Sequence, residues 1–596
     1  MDHKCSYVVK APARHLIYEN FHVKEHSTTK TSFEKTIFTI FEAPKCKYSN
    51  MNKKRIDLPL ASRRFKALLT AVLSNGQFSA CGELMYQCRC SYIAFGLGSV
   101  GMDKPIQQKY KATRGCICFR MLFSRDWITG ISELITVARL ATGSCSMAFS
   151  ALEFTVRRRE PELIVPAKPT PYGSKFLSDI DDRKGHRFHT PTIHFYRNKR
   201  DICMASTCKI DNIVDVIKKA LANTLIFYYP FAGRLREAPG EKLLVECTGQ
   251  GVLFVEADAD FSFSQLGGDF LKPPFPYLEQ LVYAPAEAED ILHCPLLFIQ
   301  VTRLLCGGFI IGFSNNHTIC DAQGLHQFKT ALAEIARGES YPSILPVWER
   351  ELLNARDPPQ VTFAHQEYDV IANYKEKFTS LDDMVQRSFF FGPKELTVLR
   401  QRVPPHQKAC TTFEFLTAWL WRCRTVAIGY DPKEEVRVAI AVNTRGKFHS
   451  PLPTGFYGNA VAYPVAVSTT EKLIQNPLSY ALELVKKAKD EVNEEYIRST
   501  ADLMSIKGRP IISTVRTYFV SDLRRVWNAD EVDFGYGEVV YGGQAIGNKP
   551  TSNHWMSSYY MSHKNNKGDK GSLVSVCLPT LAMKKFAVEI ESLHDD

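Results

Sequence analysis

The amino-acid sequence predicts a mixed α/β protein with two main domains. The chain of 596 residues is too long for a single hydrophobic core. Strand-like and helical patterns intermingle without the strict β-α-β repetition of a barrel or a doubly wound sheet. A polar, interrupted stretch over 357–383, which begins with Asp357-Pro358-Pro359, separates two such mixed regions. We therefore expect an N-terminal domain over 147–356, a crossover linker over 357–383 and a C-terminal domain over 384–596.

The first domain opens with strand signals and one helix. Apolar and β-branched runs predict strands at 154–156, 243–246 and 252–255. Apolar residues three or four positions apart predict a helix over 210–222.

The end of the first domain carries the most informative pattern. Two apolar, β-branched runs at 295–301 and 309–313, separated by a glycine pair, predict a β-hairpin. The apolar period then becomes three or four residues, which predicts a helix from Asp321 to Gly338 with Asp321 near its N-cap. His317 therefore lies where a strand ends and a helix is about to begin.

The second domain repeats the mixed pattern. Helices are predicted over 413–424 and 478–497, the second entered through an Asn-Pro pair. Strands are predicted over 436–442 and 572–577.

His317 is the candidate catalytic residue. An imidazole titrates near pH ~6.5, so it can accept a proton at neutral pH and act as a general base. The alternative is a hydrogen-bonded structural histidine. Asp321, four residues later, could orient the imidazole as a triad carboxylate does, or could serve the fold.

Three other chemistries have weaker support. Cys320 could be a nucleophile, but the spacing supplies no base of its own. The body contains no G-x-S-x-G sequence, which disfavours a serine hydrolase. His317 and Asp321 could ligate zinc, but there is no H-E-x-x-H and no third ligand at a suitable spacing, so we expect no metal.

Two motifs together resemble those of the plant BAHD acyltransferases. The first is His317-x-x-x-Asp321 with Gly324, and the second is Asp533-Phe534-Gly535-Tyr536-Gly537, in which a tyrosine replaces the usual tryptophan. Further similar stretches occur from Met147 to the C-terminus, at 157–164, 177–182, 229–235 and 345–350. The resemblance is to the alcohol acyltransferase branch, near benzyl alcohol benzoyltransferases.

This resemblance implies a fold, a reaction and a set of roles. The fold would be two chloramphenicol acetyltransferase-like domains with an active-site channel at their interface. The reaction would be transfer of an acyl group, benzoyl as the first expectation, from acyl-CoA to a small alcohol such as benzyl alcohol. Acyl-CoA would be a co-substrate, with no tightly bound cofactor, and the protein would be a monomer. A thioesterase or a non-catalytic relative of the same fold is the competing interpretation.

The resemblance also implies roles for residues outside the first motif. Asp321 would point away from the substrate and pair with Arg445 of Asn443-Thr444-Arg445, joining the two halves. Asp533 to Gly537 would support the coenzyme A channel. The basic cluster of Lys486, Lys487 and Lys489 is expected at the solvated surface, with a coenzyme A phosphate contact as the alternative.

Charge and cysteine content limit which binding partners and which cell compartment the sequence predicts. Of the net charge of +11, residues 1–146 hold 22 basic and 10 acidic residues, and the rest hold 52 basic and 53 acidic residues. Since the body has no basic patch, we expect no nucleic-acid partner. The longest apolar passage is broken by an arginine and two glycines, so we expect no membrane span. Scattered cysteines and no visible signal peptide predict a cytosolic protein.

Residues 1–146 do not have the pattern of a folded enzyme domain. Gly96 to Gly101 matches G-x-G-x-x-G but lacks a following helix and an acidic residue about twenty positions on. Cys88-x-Cys90 and Cys116-x-Cys118 have shorter spacing than usual zinc ligands. We expect a poorly ordered leader or the product of a misplaced start codon, with the functional protein beginning at Met147.

Overall fold

A computed structural model describes most of the body of the chain. The described residues are 154–198, 213–265, 272–285, 290–371, 381–527, 529–547, 556–565 and 567–593, together with the backbone of two short N-terminal strands. The chain divides into two compact units, Met1–Ala151 and Leu152–Asp596. In the first unit, β1 (Lys109–Thr113) and β2 (Cys116–Arg120) pair antiparallel.

Most motifs of the N-terminal segment lie outside this description. The glycine motif at 96–101 and the cysteines at 88 and 90 fall outside the described residues. Cys116 and Cys118 lie in β2, whose side chains are not described.

The second unit begins with the elements of the first half. They are β3 (Val156–Arg158), β4 (Glu162–Ile164), β5 (Gly173–Phe176), β6 (His189–Arg197), α1 (Ile213–Phe227), β7 (Arg234–Ala238), β8 (Lys242–Cys247), β9 (Val252–Ala259), α2 (Leu278–Leu281), β10 (Leu297–Arg303), β11 (Phe309–Asn316) and α3 (Ala322–Ala336). The hairpin of β10 and β11 and the helix α3 confirm the predicted pattern around His317. The predicted strands at 243–246 and 252–255 are confirmed as parts of β8 and β9, while the first strand starts two residues later than predicted.

The second half contributes the remaining elements. They are β12 (Met384–Phe391), α4 (Pro393–Gln401), α5 (Thr412–Ile428), β13 (Glu435–Asn443), β14 (Val461–Ala462), β15 (Val465–Thr469), α6 (Thr470–Gln475), α7 (Leu478–Asp490), α8 (Glu494–Ile506), β16 (Thr517–Asp522), β17 (Glu538–Gln544), β18 (Ser557–Lys564), β19 (Lys570–Pro579) and α9 (Thr580–Glu591). The strands predicted at 436–442 and 572–577 are confirmed as β13 and β19, and the helix predicted at 413–424 as α5.

Two mixed seven-stranded sheets organise the halves. The first has the order β17-β6-β11-β10-β9-β3, with β4 also on β9, and the second has the order β12-β19-β18-β16-β13-β14, with β15 also on β13. Most neighbouring strands in these sheets are antiparallel, but some are parallel, including β9 with β10 and β13 with β16. The strands β5, β8 and β7 form a separate three-stranded sheet.

One predicted helix is wrong in extent. The apolar period suggested one helix over 478–497, but α7 ends at Asp490 and α8 starts at Glu494. Asn493 breaks the helix because its side chain accepts a hydrogen bond from the backbone N–H of Tyr496 at 2.9 Å, which makes it the N-cap of α8. Glu494 and Glu495 then occupy the first turn, where acidic residues are favoured.

The helices pack the sheets into separate hydrophobic cores. In the second half, α5 is buried along most of its length, and Trp421 is among the largest fully buried side chains. Thr411 and Glu414 form a capping box that fixes where α5 begins. Among the helices of the described residues, none is both long and apolar enough to cross a bilayer.

Candidate active site

His317 is held by backbone on both sides. It follows the last residue of β11, and its N–H donates to the carbonyl of Phe188 at 2.9 Å, just ahead of β6. Four residues later Asp321 caps α3, accepting from the N–H of Gly324 at 3.0 Å. The predicted position, between a strand and a helix, is therefore confirmed.

Asn459 fixes the tautomer of the His317 ring. Its side-chain oxygen lies 3.1 Å from Nδ1 of His317. Its Nδ2 donates to the carbonyl of His317 at 2.8 Å and to Oδ1 of Asp181 at 2.9 Å, so the amide oxygen must face the ring. An amide oxygen can only accept, so Nδ1 of His317 carries the proton and Nε2 carries the lone pair.

A buried ion pair between Asp181 and Arg350 holds Asn459 in place. Oδ1 of Asp181 also accepts from the backbone N–H of Asn459 at 2.8 Å and from Nη1 of Arg350 at 2.7 Å. Arg350 and Asp181 are almost completely buried, and Arg350 donates further to the carbonyl of Ile319 at 2.8 Å. This network ties the loop of His317 to the second half of the chain.

A second histidine stacks on the first. The rings of His186 and His317 lie 4.6 Å apart with 22° between their planes, and His186 Nε2 lies 3.2 Å from the hydroxyl of Tyr463. Burial lowers the pKa of His317, and burial with the nearby positive groups lowers the pKa of His186 well below its usual range. Both rings are therefore neutral at pH 7, as a general base requires.

Asp321 and Arg445 form the predicted salt bridge. Arg445 Nη1 donates to Oδ2 of Asp321 at 2.8 Å and Nη2 donates to Oδ1 at 2.9 Å, a two-point contact. Burial alone would raise the pKa of Asp321, but the charge of Arg445 and backbone donors including Ala460 hold it below its usual value. Both oxygens of the Asp321 carboxylate therefore accept hydrogen bonds from Arg445 and from backbone N–H groups. This favours the structural role of Asp321 over orientation of the imidazole.

The glycine of the first motif is required by close packing. A Cβ on Gly324 would lie 1.9 Å from the carbonyl oxygen of Tyr457. Any larger residue would push α3 away from the strand-rich second half, and with it the Asp321 cap.

The second motif lies against the first half of the chain. The predicted C-terminal domain over 384–596 includes this motif, but β17 follows it directly and pairs with β6 of the first half. The hydroxyl of Tyr196 donates to the carbonyl of Val532 at 2.8 Å, and Phe534 is fully buried with its ring edge-on to Tyr196 at 5.6 Å. Arg337, the C-cap of α3, donates to the carbonyl of Asp533.

The turn within this motif explains its glycine and its tolerance of tyrosine. Asp533 Oδ1 accepts from the N–H of Gly535 at 2.8 Å, and Gly535 has a φ of 82°, which glycine adopts without strain. Tyr536 is 40% exposed, so its ring is not part of the core.

A cavity of about 400 Å³ lies between the two halves beside His317. This volume is within the range of small-molecule sites. Its lining comes from β6, β11 and α3 on one side and from the second half on the other, and includes His186, Thr190, Asn315, His317, Leu325, Val461, Tyr463, Thr514, Trp527, Gln544 and Tyr559.

The other residues that the sequence analysis considered for catalysis or coenzyme A binding are Cys320 and the basic cluster. Burial raises the pKa of the Cys320 thiol, so it is protonated and a poor nucleophile. Lys489 pairs with Glu414 and Lys486 with Asp490, which accounts for two members of the basic cluster. Within the described residues, no group of three or more His, Cys, Asp or Glu side chains could hold a metal ion.

Sequence reasoning missed Asn459, Asp181 as its anchor, and His186. Asp181 lay in one of the similar stretches but had no assigned role. Asn459 follows Gly458 in a loop whose sequence has no catalytic pattern. The role of Asn459 becomes visible only in the folded structure, which brings that loop to His317.

Comparison with known proteins agrees with this architecture. Residues 154–593 match the model of the Transferase family. The chain is 58% identical over 444 residues to a benzyl alcohol O-benzoyltransferase of Petunia hybrida, covering 74% of this chain and 95% of that protein. It is 52% identical over 447 residues to alcohol acyl transferase 1, allele GSd, of Malus domestica, covering 74% and 94%.

Solved structures with low sequence identity share the fold. Vinorine synthase superposes with a TM-score of 0.55 at 21% identity, covering 74% of this chain and 98% of its own. TRI101 of F. sporotrichioides, complexed with coenzyme A and T-2, gives a TM-score of 0.52 at 18% identity, covering 71% and 98%. The family match over 154–593 and the identities above 50% show that the chain belongs to the Transferase family, that of the BAHD acyltransferases, and is an acyltransferase.

Proposed function

We propose that this protein transfers an acyl group from acyl-CoA to a small alcohol, with His317 as the general base. The observation that carries this proposal is the orientation of the His317 ring, which Asn459 fixes with Nδ1 protonated and Nε2 free to accept a proton. His317 also lines the cavity between the two halves, where two substrates can meet. The relatives named as alcohol acyltransferases support the same reaction.

The reaction needs no covalent enzyme intermediate. Nε2 of His317 removes the proton of the alcohol while the alcohol oxygen attacks the carbonyl carbon of the thioester. The tetrahedral intermediate collapses with cleavage of the carbon–sulfur bond, and the departing sulfur takes the proton from the His317 imidazolium. The products are an ester and free coenzyme A.

The first substrates to test are benzoyl-CoA and benzyl alcohol, which would give benzyl benzoate, a volatile ester. Support comes from the relatives named benzyl alcohol O-benzoyltransferase in Petunia hybrida and Nicotiana tabacum. Acyl-CoA would act as a co-substrate that enters the cavity beside His317.

The other parts of the two motifs have supporting roles in this proposal. Asp321 and Arg445 would hold the His317 loop to the second half, and Asp533 to Gly537 would brace β17, which lines the cavity through Gln544. We also propose that the residues from Met147 onward suffice for activity, because the family match begins at residue 154. An inactive protein expressed from Met147 would contradict the proposal that these residues suffice.

We propose a cytosolic, monomeric enzyme. Cys247, Cys320, Cys423 and Cys577 are buried free thiols, as in reducing compartments. Fractionation of cells and light scattering of the purified protein test the compartment and the oligomeric state.

The activity test uses free thiol and ester as separate readouts. The protein is incubated with benzoyl-CoA, with and without benzyl alcohol, while thiol is followed by colour and ester by mass spectrometry. We expect thiol and ester to appear together and to require the alcohol. Thiol release that is independent of the alcohol would indicate a thioesterase and overturn the proposal.

A further inference from the structure

Two polar side chains face each other on the cavity wall near His317. Thr190 of β6 lies directly opposite Asn315 of β11 in the antiparallel register. Side chains of such directly opposed residues lie on the same face of a sheet, with their Cβ atoms about 5 Å apart. Both residues line the cavity that contains His317.

Each of these side chains presents an oxygen without a hydrogen-bond partner. Oγ1 of Thr190 and Oδ1 of Asn315 are buried, and neither forms a hydrogen bond with the described part of the chain. Asn315 is 2% exposed, so its amide is nine-tenths buried or more. Its Nδ2 faces the carbonyl of Asn316 at 3.4 Å and the sulfur of Cys320 at 3.7 Å, which leaves Oδ1 as the unused acceptor.

Unpaired buried polar groups are rare in folded proteins because they lose hydrogen bonds to water without replacement. Two such groups, opposed on one cavity wall, form a polar patch whose partner must come from the cavity. Oδ1 of Asn315 requires a donor, and the hydroxyl of Thr190 can donate as well as accept. A hydroxyl group satisfies both at once, because it donates and accepts.

The patch lies at a suitable distance from the reacting centre. The backbone N–H of His317 donates a hydrogen bond to the carbonyl of Phe188. Asn315 lies two residues before His317, and its partner Thr190 lies two residues after Phe188. With a rise of about 3.3 Å per residue, the backbone of the patch lies roughly 7 Å along the sheet from the backbone of His317. This separation is comparable to the length of a benzene ring with one substituent.

We propose that Thr190 and Asn315 form a subsite for a second hydroxyl group of the substrate, so that the enzyme prefers hydroxylated aromatic substrates over unsubstituted ones. The inference rests on the proposed acyl transfer and specifies its substrate class. The hydroxyl can belong to the alcohol or to the acyl group, since both occupy the same cavity. A site built to bind a hydroxyl discriminates against the analogue that lacks it, because its own polar groups are then left unpaired.

The test compares hydroxylated and unsubstituted substrates on both sides of the reaction. One arm measures kcat/KM for 2-, 3- and 4-hydroxybenzyl alcohol against benzyl alcohol, with benzoyl-CoA as donor. The other arm measures kcat/KM for the corresponding hydroxybenzoyl-CoA donors against benzoyl-CoA, with benzyl alcohol as acceptor. We expect at least one hydroxylated substrate to exceed its unsubstituted counterpart by ~10-fold or more, and the arm in which this occurs identifies the source of the hydroxyl.

Three variants assign the preference to this subsite. Asn315→Leu and Thr190→Val each remove an unpaired buried oxygen while keeping much of the side-chain volume, so both should fold. Ser314→Ala is the matched control, because Ser314 is buried beside Asn315 but faces the other side of the sheet. We expect both subsite variants to reduce the preference ratio by ~10-fold and the control to leave the ratio unchanged.

The outcomes separate the subsite from the reaction. Ester formation at equal rates from hydroxylated and unsubstituted substrates overturns the subsite and leaves the acyl transfer intact. A preference that survives both Asn315→Leu and Thr190→Val also overturns it. Absence of ester from every pair of substrates overturns the proposed reaction together with the subsite.

Discussion

The side-chain oxygen of Asn459 lies 3.1 Å from Nδ1 of His317, although the two residues are 142 positions apart in the chain. This contact selects the tautomer that leaves Nε2 of His317 able to accept a proton. Because Asn459 is itself bound to Asp181, the base is oriented by a network that crosses between the two halves.

The contact predicts how Asn459 variants behave. Asn459→Ala should lower kcat by about 10²-fold, since small misplacements of a reacting group cost this much. Asn459→Leu removes the acceptor of Nδ1, a hydrogen bond that raises the pKa of His317, so the acid limb of the pH–rate profile should move to lower pH. An unchanged profile in Asn459→Leu, in a protein with wild-type melting temperature, would contradict the orienting role.

Removing one partner of the Asp321 and Arg445 pair should destabilise the fold. Asp321→Ala leaves a charged guanidinium among buried carbonyls, and we expect a loss of roughly 3–5 kcal/mol in the free energy of unfolding. The double variant Asp321→Ala, Arg445→Met should lose less than the sum of the single variants, because the residues interact directly. Urea unfolding of the four proteins measures this coupling.

The same variants separate stability from orientation of the base. An Asp321→Ala protein with unchanged unfolding free energy but no turnover would show that Asp321 orients His317 rather than supports the fold. A less stable protein that recovers turnover at low temperature supports the structural role.

The pH dependence of catalysis follows from burial of the base. Burial lowers the pKa of His317 below its usual 6.5, so the ring stays neutral until the pH falls below that value. We expect the midpoint of the acid limb of the kcat/KM profile to lie below pH 6.5. An acid limb centred above pH 7 would be inconsistent with this neutral, buried base.

The sequence could predict the local elements but not the long-range contacts. The hairpin of β10 and β11 and the helix α3 follow from apolar periods within 45 residues, and the partner of Asp321 followed from the family resemblance. In contrast, no local pattern places Asn459 against His317 or β17 beside β6, because these contacts depend on how the chain returns to the first sheet. The break between α7 and α8 was missed because the apolar period continues across Asn493, whose capping hydrogen bond ends it.

Lys329 provides a stability prediction outside the cavity lining. It is buried on α3, with Nζ 2.5 Å from Oγ1 of Thr192 and 3.2 Å from Nε2 of His194, and burial lowers its pKa to about 7. Unfolding returns the amine to a pKa near 10.5, so between these two values the unfolded chain binds more protons. This group therefore makes the free energy of unfolding rise with pH across this window, by up to about 1.4 kcal/mol per pH unit.

Lys329→Met should remove this contribution. Urea unfolding of both proteins at pH 7, 8 and 9 should show the wild type gaining stability relative to the variant as the pH rises. Parallel pH profiles for the two proteins would show that Lys329 keeps its proton in the folded state.

The most direct measurement of the central claim is kcat for His317→Ala, with ester formation as the readout and a melting curve to confirm folding. His326→Ala is the matched control, because it removes an imidazole of α3 that pairs with Glu531 instead of lining the cavity. We expect His317→Ala to lose ~10²–10⁴-fold in kcat while His326→Ala retains activity. Undiminished ester formation by a folded His317→Ala protein would contradict the account.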